Sequence, residues 1–195
     1  MNKGEQVYRE MLYRVIEKNS PLMKQAELAK KLNISLSTVN LAVKKLERMN
    51  AVRIGRMGFS VIDRKKILYL LASDRNLEKD IVYKTRTEIP VREIERTLPD
   101  VNYAAYSAYK LRFRDVPADY SEVYAYADEE ELCEIRKRFP PSEKKPNLFI
   151  LRKDGNMGRY PKTGALAQIF VDLWNLREWY AADFLKALEE KMGME

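Results

Sequence analysis

Residues 34–61, ISLSTVNLAVKKLERMNAVRIGRMGFSV, hold short hydrogen-bonding groups and cations at a spacing suited to contact with a polyanion. At about 100° per residue, Leu36, Val39, Val43 and Leu46 fall within roughly a quarter turn and form an inward apolar face over 36–49. Ser37, Asn40, Leu41, Lys44 and Arg48 gather on the opposite side, with Thr38 and Lys45 beside them. A helix that merely coats a core carries paired Glu and Lys on its free face. This face has short polar groups at its start, no acid before Glu47, and cations towards its end. Asn40 has the chemistry to pair bidentately with adenine, Ser37 and Thr38 to bond bases or phosphates, and Leu41 to meet a thymine methyl. Lys44, Lys45 and Arg48 suit phosphates. Ser35 is placed to cap the helix, whose N-terminus itself favours a phosphate. Arg53 stands at the base of the following hairpin. Arg56 stands at its tip, placed for phosphate or a minor groove.

Other chemistry is thinly supplied. The chain contains no histidine, which removes Ser-His-Asp and Cys-His catalysis and histidine metal ligands together. Asp119, Glu122 and Asp172 are the carboxylates worth weighing in the second half. Asp119 and Glu122 are three apart and point to opposite faces of a strand, whereas a metal-sharing pair stands two apart. No catalytic residue, metal or cofactor is therefore expected. Cys133 reads as a small core residue. The run 153–164, KDGNMGRYPKTG, lacks P-loop spacing and reads as a mobile loop. Tyr103, Tyr106, Tyr109, Tyr124 and Tyr126 read first as core aromatics and second as the lining of a ligand or partner pocket.

The elements that must position these groups follow from periodicity and punctuation. Val7, Met11, Leu12, Val15 and Ile16 give a helix over 4–18, broken by Ser20-Pro21. A second helix covers about 24–32 and ends at Asn33, and the third covers 36–49. AVRI and FSVI flank Gly55-Arg56-Met57-Gly58 as a short hairpin, so the wing spans 51–62. Asp63 is placed to cap a fourth helix over 64–73. Beyond residue 76, strands at KDIVYKT, VNYAAY, SEVYAYA and NLFILRK alternate with helices at 90–99, 107–113 and 128–138. ALAQIFVDLWNL and EWYAADFLKALEEKM close the chain as two helices. The expected class is α+β, with a winged domain over 1–75 and an α/β domain over 76–195.

Charge divides in the same place. Residues 1–75 carry 16 Lys and Arg against 7 Asp and Glu, a net +9, whereas residues 76–195 carry 20 against 22, a net −2. A basic module joined to a near-neutral one points to nucleic acid as the partner of the first. The polar N-terminus has no signal-peptide core, no apolar run is long enough to span a bilayer, and the single cysteine forms no internal disulfide. The expectation is a cytoplasmic protein without membrane association. The 33 % charged composition with only three glutamines also fits a thermophile.

The stretch QAELAKKLNISLSTVNLAVKKLERMNAVR resembles the winged helix-turn-helix of bacterial and archaeal transcription regulators over residues 5–72. Residues 101–127 and the VDL-containing run QIFVDLWNL resemble, more loosely, the nucleotidyltransferase-like domain of type IV abortive-infection antitoxin-like regulators over about 80–190. The second resemblance departs from the catalytic pattern, because Tyr106-Ser107 stands where Gly-Ser would be. Together the resemblances imply a transcription regulator, a repressor or antitoxin-like protein, that binds double-stranded DNA. They also imply a homodimer, with a protein partner or small effector at the second domain. The alternatives are a nucleotidyltransferase-like enzyme with a nucleic-acid-binding domain, and a winged-helix protein-interaction module.

Overall fold

The structure, a computed structural model, describes residues 1–194. The chain divides into two compact units: Met1–Arg75 with Ala165–Ala167 and Met194, and Asn76–Gly164 with Gln168–Gly193. Among the described residues, no helix is long and apolar enough to cross a membrane.

The first unit is built on α1 (Lys3–Glu17), α2 (Gln25–Leu32), α3 (Leu36–Arg48) and α4 (Arg64–Asp74). Asn2 and Glu5 close a reciprocal capping box at the start of α1, satisfying backbone donors that the helix cannot bond itself. Asn33 ends α2 in the left-handed conformation (φ +53°), which asparagine tolerates better than most residues. Ser35 then accepts from the Thr38 N–H at 3.2 Å and starts α3. Val39, Ala42, Val43 and Leu46 bury one face of α3. Leu36 does not join them. It is 54 % exposed, because the side chain of a first-turn residue leans past the helix start and beyond what the neighbouring helices cover.

The wing is a three-stranded sheet in the order β1-β3-β2, from β1 (Leu22–Met23), β2 (Val52–Gly55) and β3 (Gly58–Val61). The hairpin pairs Gly55 with Gly58 and leaves Arg56-Met57 as its two-residue tip. Gly58 is required there. Its φ is +139°, and an added Cβ would lie 2.2 Å from the Met23 carbonyl oxygen of β1.

The second unit is a four-stranded mixed sheet in the order β4-β7-β6-β5. Its strands are β4 (Ile81–Thr85), β5 (Asn102–Ala104), β6 (Val123–Ala127) and β7 (Leu148–Arg152). β6 and β7 run parallel, and both outer pairs are antiparallel. The helices are α5 (Val91–Thr97), α6 (Ala105–Phe113), α7 (Glu129–Arg138), α8 (Leu166–Trp174) and α9 (Ala181–Lys191). Every residue of β6 is buried, the mark of a strand covered on both faces. Val123, Ala125 and Ala127 face Ile94 of α5 and Leu132 and Ile135 of α7. Tyr124 and Tyr126 face the other way. The Tyr126 hydroxyl donates to Asp172 at 2.6 Å, and Gln168 donates to both.

An aromatic cluster fills that second layer. The Tyr106 ring lies 5.0 Å from Phe184 and 5.2 Å from Tyr180, between centroids. Several hydroxyls end on carboxylates: Tyr106 on Glu178, Tyr109 on Asp115, Tyr120 on Glu95 and Tyr180 on Glu122. Burial, reinforced by these acids, pushes the Tyr109 and Tyr180 hydroxyls up to about 12 and those of Tyr106, Tyr120 and Tyr124 higher still.

Two sequence readings change in this unit. Cys133 is exposed on α7 rather than a core residue, since α7 turns Leu132 and Ile135 inward and leaves the two positions between them outside. The 153–164 run is not an unanchored loop. Asn156, Met157 and Tyr160 are buried, and Met157–Arg159 forms a short 3-10 turn.

Candidate nucleic-acid interface

The exposed face of α3 is assembled as its periodicity requires. At its start three hydroxyls surround the cap: Ser35 lies 3.0 Å from the Ser37 hydroxyl and 2.8 Å from that of Thr38. Ser35 is committed to the helix, whereas Ser37 and Thr38 keep lone pairs for an outside donor. Leu41 stands in the middle of the face and is 70 % exposed. A large aliphatic side chain in that position loses contact with water only when something is laid against it.

Asn40 is braced. Its side-chain amide donates to Gln25 Oε1 at 3.1 Å, so the first residue of α2 fixes the rotamer of a residue on α3. The amide retains one N–H and its carbonyl oxygen, the donor and acceptor that an adenine edge demands. Gln25 was not among the sequence-derived candidates. The two residues lie 15 positions apart, and only the α2–α3 turn brings them together.

The cations divide into two kinds. Among the described residues Lys44, Arg48, Arg53 and Arg56 make no ion pair, and all four are exposed. Lys45 differs: its ammonium lies 2.7 Å from Asp74 at the end of α4. Both groups of that pair are half-exposed, so it contributes less than about 1 kcal/mol. The acids of the first unit are mostly spent away from this face. Glu10 is fully buried and receives Arg14 at 2.8 Å and Lys31 at 2.6 Å, Glu5 faces Arg75 at 3.5 Å, and Asp63 caps α4. α3 and the wing carry Lys44, Lys45, Arg48, Arg53 and Arg56 against one acid, Glu47.

Arg56 and the 72 % exposed Met57 form the wing tip, and Arg53 lies on β2, two residues before Gly55. The two glycines set this projection. Gly55 and Gly58 close the turn in two residues, and Gly58 lets β3 pass against β1.

The carboxylates of the second unit do not converge. Asp119 is exposed in the loop before β6, Glu122 accepts from Tyr180 and Ser121, and Asp172 accepts from Tyr126 and Gln168. Both Asp119 and Glu122 precede the strand rather than lying along it. Among the described residues no group of three His, Cys, Asp or Glu side chains is placed to hold a metal ion.

Residues 8–53 match the family model of the winged helix-turn-helix DNA-binding domain. The match takes in α2, α3 and the first residues of β2 and stops short of the wing tip. Comparison with curated proteins found no match, and neither did comparison with solved structures. The first unit therefore carries a winged helix-turn-helix of the DNA-binding kind.

Proposed function

We propose that this chain is a sequence-specific transcription regulator that reads duplex DNA with α3 in the major groove and the wing on the flanking backbone or minor groove. The observation that carries the reading is the free face of α3. It joins hydrogen-bonding groups at the N-terminal turn, a braced amide at Asn40, an exposed Leu41, and unpaired cations at Lys44 and Arg48. Base edges answer the first group and phosphates the last, which is the division of labour that specific recognition requires.

The second unit serves in this reading as the regulatory half, for dimerisation, a protein partner or an effector, in the manner of a repressor or antitoxin-like protein. A homodimer fits because helix-turn-helix proteins commonly meet two half-sites related by a two-fold axis. Nucleotide transfer is not part of the proposal, since Asp119, Glu122 and Asp172 are directed to three separate hydrogen-bond arrangements.

Binding titrations on the preferred site and on a scrambled duplex test the reading. Asn40→Ala should cost about 1–3 kcal/mol on the preferred site and little on the scrambled one. Gln25→Ala should weaken only the preferred site, and add little in a chain that already carries Asn40→Ala. Equal loss on both duplexes would mean that Asn40 does not read a base.

A further inference from the structure

A cavity of about 460 Å³ opens on the second unit, lined by Arg92, Glu95 and Arg96 of α5, Tyr103 of β5, and Lys110 and Leu111 of α6. We propose that it binds an organic phosphomonoester with a flat ring, the phosphate held by Arg92 and Arg96 and the ring laid against Tyr103 and Leu111. The site lies outside the DNA-reading face, and the inference stands whether or not α3 reads DNA.

Size and charge set the ligand class. The volume falls in the range of small-molecule sites. Arg92 and Arg96 stand four residues apart on α5, so their side chains leave the same helix face. Arg92 makes no ion pair among the described residues. Arg96 is held only by Glu93 at 2.9 Å, with both side chains exposed. Such a pair contributes little and leaves the guanidinium able to turn to a stronger anion. Lys110 is the third cation.

The one acid of the lining, Glu95, does not cancel them freely. It is 9 % exposed. Lys110 Nζ lies 2.5 Å from its Oε2, and the Tyr120 hydroxyl donates to its Oε1 at 2.7 Å. Three cations against one satisfied carboxylate leave the lining at +2. A phosphomonoester carries about −1.5 to −2 at neutral pH and offers three oxygens, and two guanidinium forks match that geometry. A single carboxylate ligand would leave one of the two arginines unanswered.

The apolar wall sets the rest of the ligand. The Tyr103 ring is fixed by its hydroxyl, which donates to the Glu95 carbonyl oxygen at 2.5 Å. Leu111 is 45 % exposed beside it. A held ring and an uncovered aliphatic side chain next to paired arginines make a surface for a planar group attached to an anion. A mononucleotide and the phosphorylated end of a single strand share this chemistry.

Calorimetric titration of the full chain tests the site, with the four ribonucleoside 5′-monophosphates, the same nucleosides without phosphate, inorganic phosphate, and a short oligonucleotide with and without a 5′-phosphate. At least one monophosphate should bind and raise the thermal midpoint, at least tenfold more tightly than its nucleoside and than inorganic phosphate. The double change Arg92→Ala with Arg96→Ala should weaken it at least tenfold, both residues being exposed and outside the core. Leu111→Ser, which removes the apolar wall without adding charge, should weaken the monophosphate while leaving inorganic phosphate unchanged. Tighter binding of the 5′-phosphorylated strand than of any mononucleotide would identify a strand end as the source of the same chemistry. The proposal is overturned if no phosphomonoester binds at millimolar concentration, if the double variant binds like the parent, or if Lys44→Ala with Arg48→Ala abolishes binding instead.

Discussion

Salt dependence offers a number that follows from the pairing state of individual cations. Lys44, Arg48, Arg53 and Arg56 are exposed and make no ion pair among the described residues, whereas Lys45 is held by Asp74 at 2.7 Å. Each phosphate neutralised releases counterions and contributes about −0.9 to the slope of log K against log salt, so four contacts give about −3.6 per bound chain. Between 50 and 200 mM salt that amounts to roughly a 150-fold loss of affinity per chain. Arg56→Ala should flatten the slope by about 0.9, and Lys44→Ala with Arg48→Ala by about 1.8. Lys45→Ala should flatten it by less than Arg56→Ala does, because the Asp74 carboxylate 2.7 Å away offsets the charge that Lys45 presents to a phosphate. Fluorescence anisotropy at five or more salt concentrations, on one duplex, measures all of these. The reasoning fails if Lys45→Ala flattens the slope as much as Arg56→Ala does, or if removing Lys44 and Arg48 leaves the slope where it was.

Three further outcomes are expected. Gly58→Ala should lower stability by at least about 1–3 kcal/mol through strain at φ +139° and a 2.2 Å clash with the Met23 carbonyl. Gly55→Ala, whose added Cβ meets nothing nearer than 3.9 Å, should cost under about 1 kcal/mol, and thermal unfolding of the two variants separates them. Stability should be insensitive to the buried tyrosines below pH 10 and fall steeply above it. The unfolded chain ionises them near 10, while Tyr109 and Tyr180 hold their protons to about 12 and Tyr106, Tyr120 and Tyr124 longer. Tyrosinate absorbance should then rise together with unfolding, and a full titration near pH 10 in the folded chain would contradict the burial argument. Purified protein with Mg²⁺ should transfer no nucleotide to protein, RNA or small molecules; transfer lost on Asp119→Ala or Glu122→Ala would establish an enzyme instead.

What could be read from the sequence is what short-range physics controls. The Ser35 cap, the Asn33 helix end, the apolar spacing of Val39, Val43 and Leu46, and the Gly55/Gly58 turn each act within a few residues, and each stands in the structure. The helices and strands of the second unit were legible for the same reason. What escaped depends on partners far along the chain. β1 is two residues long, too short for an alternating pattern, and exists because β3 offers it an edge. The Gln25–Asn40 brace and the Lys45–Asp74 pair join residues 15 and 29 positions apart. The parallel β6–β7 pairing has no local signature, because strand order is decided by which helices cover which face. Leu36 and Cys133 show the limit of the helical wheel. It assigns a direction to each side chain but does not say where the covering element stops.

The central claim is that the exposed face of α3 reads base sequence. Selection from a random duplex pool with the full-length chain, run beside Asn40→Ala, tests it most directly. The account predicts a short enriched motif with the parent chain, and relaxed preference at one position of that motif when Asn40 is replaced. A pool that stays random, or a motif unchanged by Asn40→Ala, would contradict it.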